Sequence, residues 1–123
     1  MHQSESFIAG PFDAERLDVY RVARELLAKV AQLSRGWRGQ AELTDQARRA
    51  ALSCLLNIAE GAAQPFSSGN KRRHYQIARG SASEVAATFD AASLLGLSSE
   101  QDIADARQLA ARICAMLTRL CGG

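Results

Sequence analysis

The 123-residue sequence contains few proline and aromatic residues: 2 prolines and an aromatic content of 6%. Strands favour β-branched and aromatic side chains, whereas sequences with much alanine and little proline favour helices. The composition therefore predicts an all-α fold. A hydrophobic content of 47% with a net charge of only +2 excludes disorder for the bulk of the chain. The length suits one domain, which we place at residues 13–121 after a flexible tail at residues 1–12.

The chain has only three cysteines, and their number and placement argue against two common kinds of small domain. Cys54, Cys114 and Cys121 are odd in number, and none belongs to a CxxC pair, which argues against a disulfide framework and against a zinc site. No apolar run reaches the ~18 residues of a membrane span, and the first residues do not form a secretory signal. We therefore expect a cytoplasmic protein without membrane contact, bound metal or other cofactor.

The side-chain groupings that most enzymes use are missing as well. His2 and His74 stand far apart, and no Glu-x-x-His pair of a di-iron bundle or glycine-rich phosphate loop occurs. Glu60 and Glu84 are the one candidate pair of carboxylates, and no nucleophile, base or metal ligand accompanies them. We therefore expect no enzymatic activity.

Four segments carry apolar residues at steps of three and four, the pattern of amphipathic helices. Because the helices are long and the loops between them short, the economical fold is an antiparallel up-down-up-down four-helix bundle. Gly36 and Gly96 are predicted to end the first and third helices. The predicted N-terminal caps, in chain order, are Asp13, Thr44, Ser67 or Ser68, and Ser98.

The second helix is apolar over more than half of its circumference. A stripe centred on Cys54 faces the predicted core, and Leu52, Leu55 and Leu56 widen the apolar arc beyond it. A helix with so wide an apolar arc needs two partners. One partner is the core of the bundle, and we expect the other to be a second copy of the chain.

Polar residues form a row on the same helix. At about 100° per residue, Arg49, Ser53, Asn57 and Glu60 share one side. This row is either a solvated face or a hydrogen-bonded seam to a neighbouring helix or subunit, and the sequence leaves both alternatives open.

Gly80 lies inside the third helix, where glycine costs about 1 kcal/mol relative to alanine. Close approach of another backbone is the usual compensation, so we expect one there. We further expect that Gly80, Ser81 and Glu84 form a structural cluster with Asn57 and Glu60 of the second helix.

Basic residues give the main indication of function. Lys71, Arg72 and Arg73 open the third helix, where cations oppose the helix dipole, so an external anion such as phosphate would stabilise them. An oligomer would repeat such patches and enlarge their field. The remaining candidate phosphate contacts are Arg21, Arg24, Arg112 and Arg119. RNA or DNA is therefore the expected partner, and the alternative is a protein-interaction scaffold with little affinity for nucleic acid.

Two separated motifs resemble a known family. They are Gln46-x-Arg48-Arg49-Ala50-Ala51-x-Ser53-x-x-x-Asn57-Ile58-Ala59-Glu60-Gly61 and Ile77-Ala78-Arg79-Gly80-Ser81-x-x-Glu84. Together with Leu17-Asp18-Val19-Tyr20 and Leu95-Gly96, they are similar to the four-helix-bundle proteins encoded in bacterial 23S ribosomal RNA intervening sequences. The resemblance covers roughly residues 12–120. The chain departs from the family pattern between Ser53 and Asn57, where a proline is usual.

The resemblance implies a homopentamer of four-helix bundles. Relatives of the family include the accessory variability determinant of diversity-generating retroelements, a basic pentameric barrel that binds nucleic acid and a reverse transcriptase. The structural-motif and interface residues expected from the resemblance and the helical pattern are Arg48, Arg49, Leu52, Ser53, Leu56, Asn57, Glu60, Gly61, Arg79, Gly80, Ser81 and Glu84.

Overall fold

The computed structural model describes residues 10–66 and 68–122 of the chain. No strand occurs within these residues, so the predicted all-α class is confirmed. Residues 1–9 of the predicted tail lie outside the described residues. The helices are α1 (Asp18–Ser34), α2 (Ala41–Ala62), α3 (Gly69–Leu94) and α4 (Glu100–Leu120), and a 3₁₀ turn (Asp13–Arg16) precedes α1.

One hydrophobic core joins all four helices, and the predicted apolar stripes supply it. Its large side chains are fully buried, and between them lie many alanines that allow the helices to pack closely. Leu120, at the end of the predicted α4 stripe, is instead partly exposed. The largest fully buried side chains are Phe89, Leu26, Ile58, Ile113 and Leu117.

The predicted start of the first helix at Asp13 is wrong. The carboxylate of Glu15 accepts a hydrogen bond from the Phe12 N–H at 3.0 Å, which closes a separate short turn. Leu17 then adopts extended backbone angles, φ −93° and ψ 131°, and interrupts the helical path before α1 begins at Asp18.

Thr44 does not cap the second helix, which begins three residues earlier. The Thr44 N–H donates to the Gln40 carbonyl at 3.0 Å, so Thr44 already lies within the helix. Ser68, one of the two predicted alternatives, caps the third helix. The other alternative, Ser67, lies outside the described residues. Gly96 follows α3 with φ +68°, the left-handed conformation expected of a residue that ends a helix.

Ser99, rather than Ser98, caps the last helix by accepting from the Asp102 N–H at 3.1 Å. Ser98 accepts instead from Trp37 Nε1 at 2.8 Å. Trp37 is buried although it lies in the loop between α1 and α2, and its ring meets Phe89 edge-on with 5.2 Å between centroids. The loop is therefore fixed to the core.

The end of α2 packs so closely against the start of α3 that only a glycine fits at position 61 without a shift of its neighbours. A Cβ atom on Gly61 would lie 2.7 Å from Tyr75 Cε1 and 3.2 Å from His74 Cβ. A Cβ on Gly80, in contrast, would meet nothing within 4 Å. The expected close approach at Gly80 is therefore wrong for the described part of the single chain, and the close approach lies at Gly61 instead.

Gly61→Ala should destabilise the protein by about 1–3 kcal/mol, because the buried Tyr75 ring must move to admit the new methyl group. Urea unfolding followed by circular dichroism measures the change. Gly69→Ala is the matched control, since a Cβ there meets no atom within 4 Å. An unfolding midpoint for Gly61→Ala equal to that of the control would contradict close packing of the Tyr75 ring against Gly61.

Candidate nucleic-acid interface

Lys71 lies at the start of α3, but its ammonium group contacts the end of α2. Lys71 Nζ donates to the carbonyl oxygens of Gly61 at 2.8 Å and Ala62 at 3.3 Å. It also lies 5.5 Å from the centroid of the Tyr75 ring. The last carbonyls of a helix have no partner within that helix and attract cations. Lys71 therefore caps α2, which offsets the unfavourable position of its charge at the start of α3.

Arg72 and Arg73 follow Lys71 and are exposed. The guanidinium group of each forms no hydrogen bond or ion pair with another residue in the described ranges. The same holds for Arg119, which lies in the last turn of α4. These three guanidinium groups are therefore available to an external anion, whereas the Lys71 ammonium is already engaged.

Arg72 and Arg119 line one groove between the α2–α3 turn and the end of α4. Its volume is about 660 Å³, and none of its lining residues is acidic. We call it the Phe66 groove, after the aromatic residue at its edge. Its main lining side chains are Phe66, Lys71, Arg72, Tyr75, Arg119 and Leu120.

The other candidate phosphate contacts lie elsewhere on the surface. Arg112 is exposed and precedes Arg119 by two helical turns, so both project from the same side of α4. Arg21 and Arg24 are exposed on α1, and Arg21 Nη1 lies 3.5 Å from Asp18 Oδ1. None of these three residues lines the Phe66 groove.

Part of the polar row on α2 forms a hydrogen-bonded seam with α3. Ser81 Oγ donates to Ser53 Oγ at 3.0 Å, and Asn57 Nδ2 donates to the Ser53 carbonyl at 2.9 Å. Asn57 Oδ1 lies 2.9 Å from His74 Nδ1. Since Asn57 uses its amide nitrogen toward Ser53, its oxygen accepts from a protonated Nδ1 of His74. His74, which stands alone in the sequence, is thus part of a structural network.

The remaining members of the expected cluster take no part in the hydrogen bonds of this network. Glu60, Gly80 and Glu84 are exposed, and no hydrogen bond within the described ranges joins Glu60 or Glu84 to Ser53 or Asn57. Neither carboxylate is therefore part of the hydrogen-bonded seam between α2 and α3.

Three motif arginines are engaged within the chain. Arg48 Nε donates to Ser34 Oγ at 3.0 Å and so links α2 to α1. Arg79 Nη1 donates to Thr118 Oγ1 at 2.9 Å and links α3 to α4. Arg49 pairs with Asp45 one turn away on its own helix, at 2.8 Å. The first two connect helices, whereas the exposed pair at Arg49 adds little stability.

The thiol of Cys54 is fully buried in the core. Burial raises the pKa of Cys54 to about 12, with a smaller contribution from Cys114, so the group stays a neutral thiol. Within residues 10–66 and 68–122, no three or more His, Cys, Asp or Glu side chains are grouped so that they could hold a metal ion. Nor does any helix in these ranges have the length and apolar content needed to cross a membrane.

The family model described as "23S rRNA-intervening sequence protein" matches residues 15–119. The match includes all of α1, α2 and α3 and nearly all of α4. No curated protein sequence matches the chain.

Lys71→Met should lower the free energy of unfolding by about 1–2 kcal/mol, because the last carbonyls of α2 lose a charged donor while the apolar stem is kept. Urea unfolding measures the change. Arg72→Met, which removes an adjacent exposed charge without a described partner, should shift stability by less than ~0.5 kcal/mol. Equal unfolding midpoints for the two variants would show that Lys71 does not cap α2.

Proposed function

Because the chain belongs to the 23S rRNA-intervening sequence protein family, we propose that it is a non-enzymatic, oligomeric four-helix-bundle protein that binds RNA or DNA. The contacts would be basic patches repeated around the oligomer. The observation that carries the proposal is the Phe66 groove, where Arg72 and Arg119 from different helices lie together without an acidic neighbour among the lining residues.

Contacts between helices support an antiparallel up-down-up-down bundle. A residue near the end of α2, Gly61, packs on Tyr75 near the start of α3, whereas Ser53 pairs with Ser81 further along. On α3 and α4, Arg79 reaches Thr118. The Ala86 carbonyl, later in α3, accepts from Arg107, earlier in α4. The contacting positions thus run in opposite directions along each of these two pairs of helices.

Exposed apolar residues on α2 support self-association. Leu52 is 45% exposed and Leu56 is 55% exposed, so the apolar arc of α2 is only partly covered by its own chain. Burying these side chains against a second copy would remove apolar surface from water. The expected number of five copies comes from the family resemblance.

Repetition of the basic patches in an oligomer would strengthen nucleic-acid binding, because each chain carries a net charge of only +2. Nucleic-acid affinity depends on the number of phosphates that are contacted, since each contact releases condensed counterions. One copy of the chain offers Arg72, Arg73, Arg112 and Arg119 as exposed cations with no described partner. Several copies would present them together to one strand.

Fluorescence anisotropy with labelled single-stranded RNA and duplex DNA, at about 50 and 200 mM salt, tests nucleic-acid binding. Four phosphate contacts on duplex DNA predict that affinity falls ~100-fold between these salt concentrations. The double variant Arg72→Gln/Arg73→Gln should weaken binding and flatten the salt dependence by about one unit of slope for each phosphate that is no longer bound. Lys71 is left in place, since its replacement would disturb α2.

The matched control is Arg35→Gln/Arg38→Gln, which removes two exposed arginines from the loop between α1 and α2. It should bind as the unaltered protein does. Absence of binding at the lower salt concentration would contradict the nucleic-acid proposal and would favour the alternative, a scaffold that binds a protein partner.

Leu52→Asp should dissociate the oligomer, because a carboxylate would have to be buried where a leucine side chain meets the second copy. Size-exclusion chromatography with light scattering gives the mass of the assembly. Leu94→Asp is the control, since Leu94 is 83% exposed at the end of α3 and lies outside this arc. A Leu52→Asp variant with the mass of the unaltered protein would contradict an interface at this position.

A further inference from the structure

Phe66 projects into solvent at the edge of a groove that combines an aromatic ring with unpaired cations. Its side chain is 82% exposed in the turn between α2 and α3. An exposed phenylalanine is not unusual by itself. Its position is informative because Arg72 and Arg119 line the same groove and have no described partner.

A second exposed phenylalanine shows what distinguishes this groove. Phe12 is 71% exposed and lines a smaller groove of about 360 Å³. Asp13 and Glu15 line that groove, so its described lining would repel a phosphate. The Phe66 groove carries cations and no acidic side chain, so its charge complements a phosphate group.

The volume of the Phe66 groove is also suitable. At about 660 Å³ it falls within the ~300–1,000 Å³ range of small-ligand sites, which leaves room for a nucleotide unit. An unpaired base can stack its π-face on an aromatic ring, and the phosphates that flank it can pair with cations. A ring beside cations therefore suits a single strand. The bases of an intact duplex are stacked on one another and do not expose these faces.

We propose that the Phe66 groove binds single-stranded nucleic acid, with one unstacked base on the Phe66 ring and the adjacent phosphates on Arg72 and Arg119. This inference rests on the proposed function and narrows it. The basic patches supply affinity for any nucleic acid, whereas the Phe66 ring supplies preference for a single strand over a duplex.

The test compares Phe66→Ala with Phe12→Ala, which removes a similarly exposed ring from the acidic groove. Anisotropy is measured at about 50 mM salt with a labelled RNA of about 12 nucleotides, the DNA of the same sequence, and the blunt duplex of that DNA. Phe66→Ala should weaken single-strand binding about 5- to 100-fold and leave duplex binding nearly unchanged. Phe12→Ala should bind all three probes as the unaltered protein does, and Phe66→Tyr should restore single-strand binding.

A second variant tests the role of the phosphate contacts. Arg119→Gln should weaken binding of the single strand and lower its salt slope by about 0.7 for each phosphate that is no longer bound. Uridine monophosphate at about 1 mM should not displace the labelled RNA, because a mononucleotide reaches the phosphate contacts of one groove only. Displacement by this mononucleotide would show that the groove takes free nucleotides and would overturn the proposal of a strand site.

The outcomes separate this proposal from the proposed function. If the unaltered protein binds no probe, both proposals fall. If it binds and Phe66→Ala has no effect, or an effect equal to that of Phe12→Ala, the groove proposal is overturned and binding through the basic patches stands. If Phe66→Ala weakens single-strand and duplex binding equally, the preference for single strands is overturned.

Discussion

The contact between the end of α2 and the start of α3 forms part of the wall of the Phe66 groove, because Lys71 and Tyr75 belong to both. Gly61 allows the Tyr75 ring to lie against the α2 backbone, and Lys71 donates to the carbonyl oxygens of Gly61 and Ala62. Residues at the start of α3 therefore fix the end of α2 both by packing and by hydrogen bonds. Lys71 is directed at α2, whereas Arg72, the next residue, is exposed and lines the same groove as Phe66.

On α2, one side forms hydrogen bonds with α3, and another side carries apolar residues that are exposed to solvent. The polar network from Ser81 through Ser53 and Asn57 to His74 satisfies groups that would otherwise be left without partners beside the core. On the outer arc of α2, Leu52 stays exposed. Polar groups of α2 are thus satisfied within the chain, whereas part of its apolar arc stays open to solvent.

Hydrophobic periodicity was sufficient to predict the helices and most of the core. The α3 stripe from Tyr75 to Ala92 is buried as its heptad spacing predicts, and Ser68 and Gly96 bound that helix as their residue types predict. Cap positions with several suitable residues nearby were predicted less well. Ser98 and Ser99 are chemically equal, and the contact of Ser98 with Trp37 decides between them.

Features that depend on contacts between helices could not be read from spacing. Gly61 and Gly80 are both helical glycines, and only the position of Tyr75 shows which of them permits close packing. The position of Lys71 at a helix start predicts an unfavourable charge, and nothing in the spacing indicates the α2 carbonyls that accept it. Trp37 lies in a loop segment with no periodicity to reveal its burial.

Photochemical crosslinking of single-stranded RNA to the unaltered protein, with the adducts located by mass spectrometry, tests most directly where nucleic acid contacts the molecule. Trypsin releases residues 50–71 as a single peptide that contains Phe66. We predict that this peptide carries the main adduct and that added salt reduces its yield. A main adduct in the loop between α1 and α2, or the absence of any adduct, would contradict the assignment of the nucleic-acid interface to the Phe66 groove.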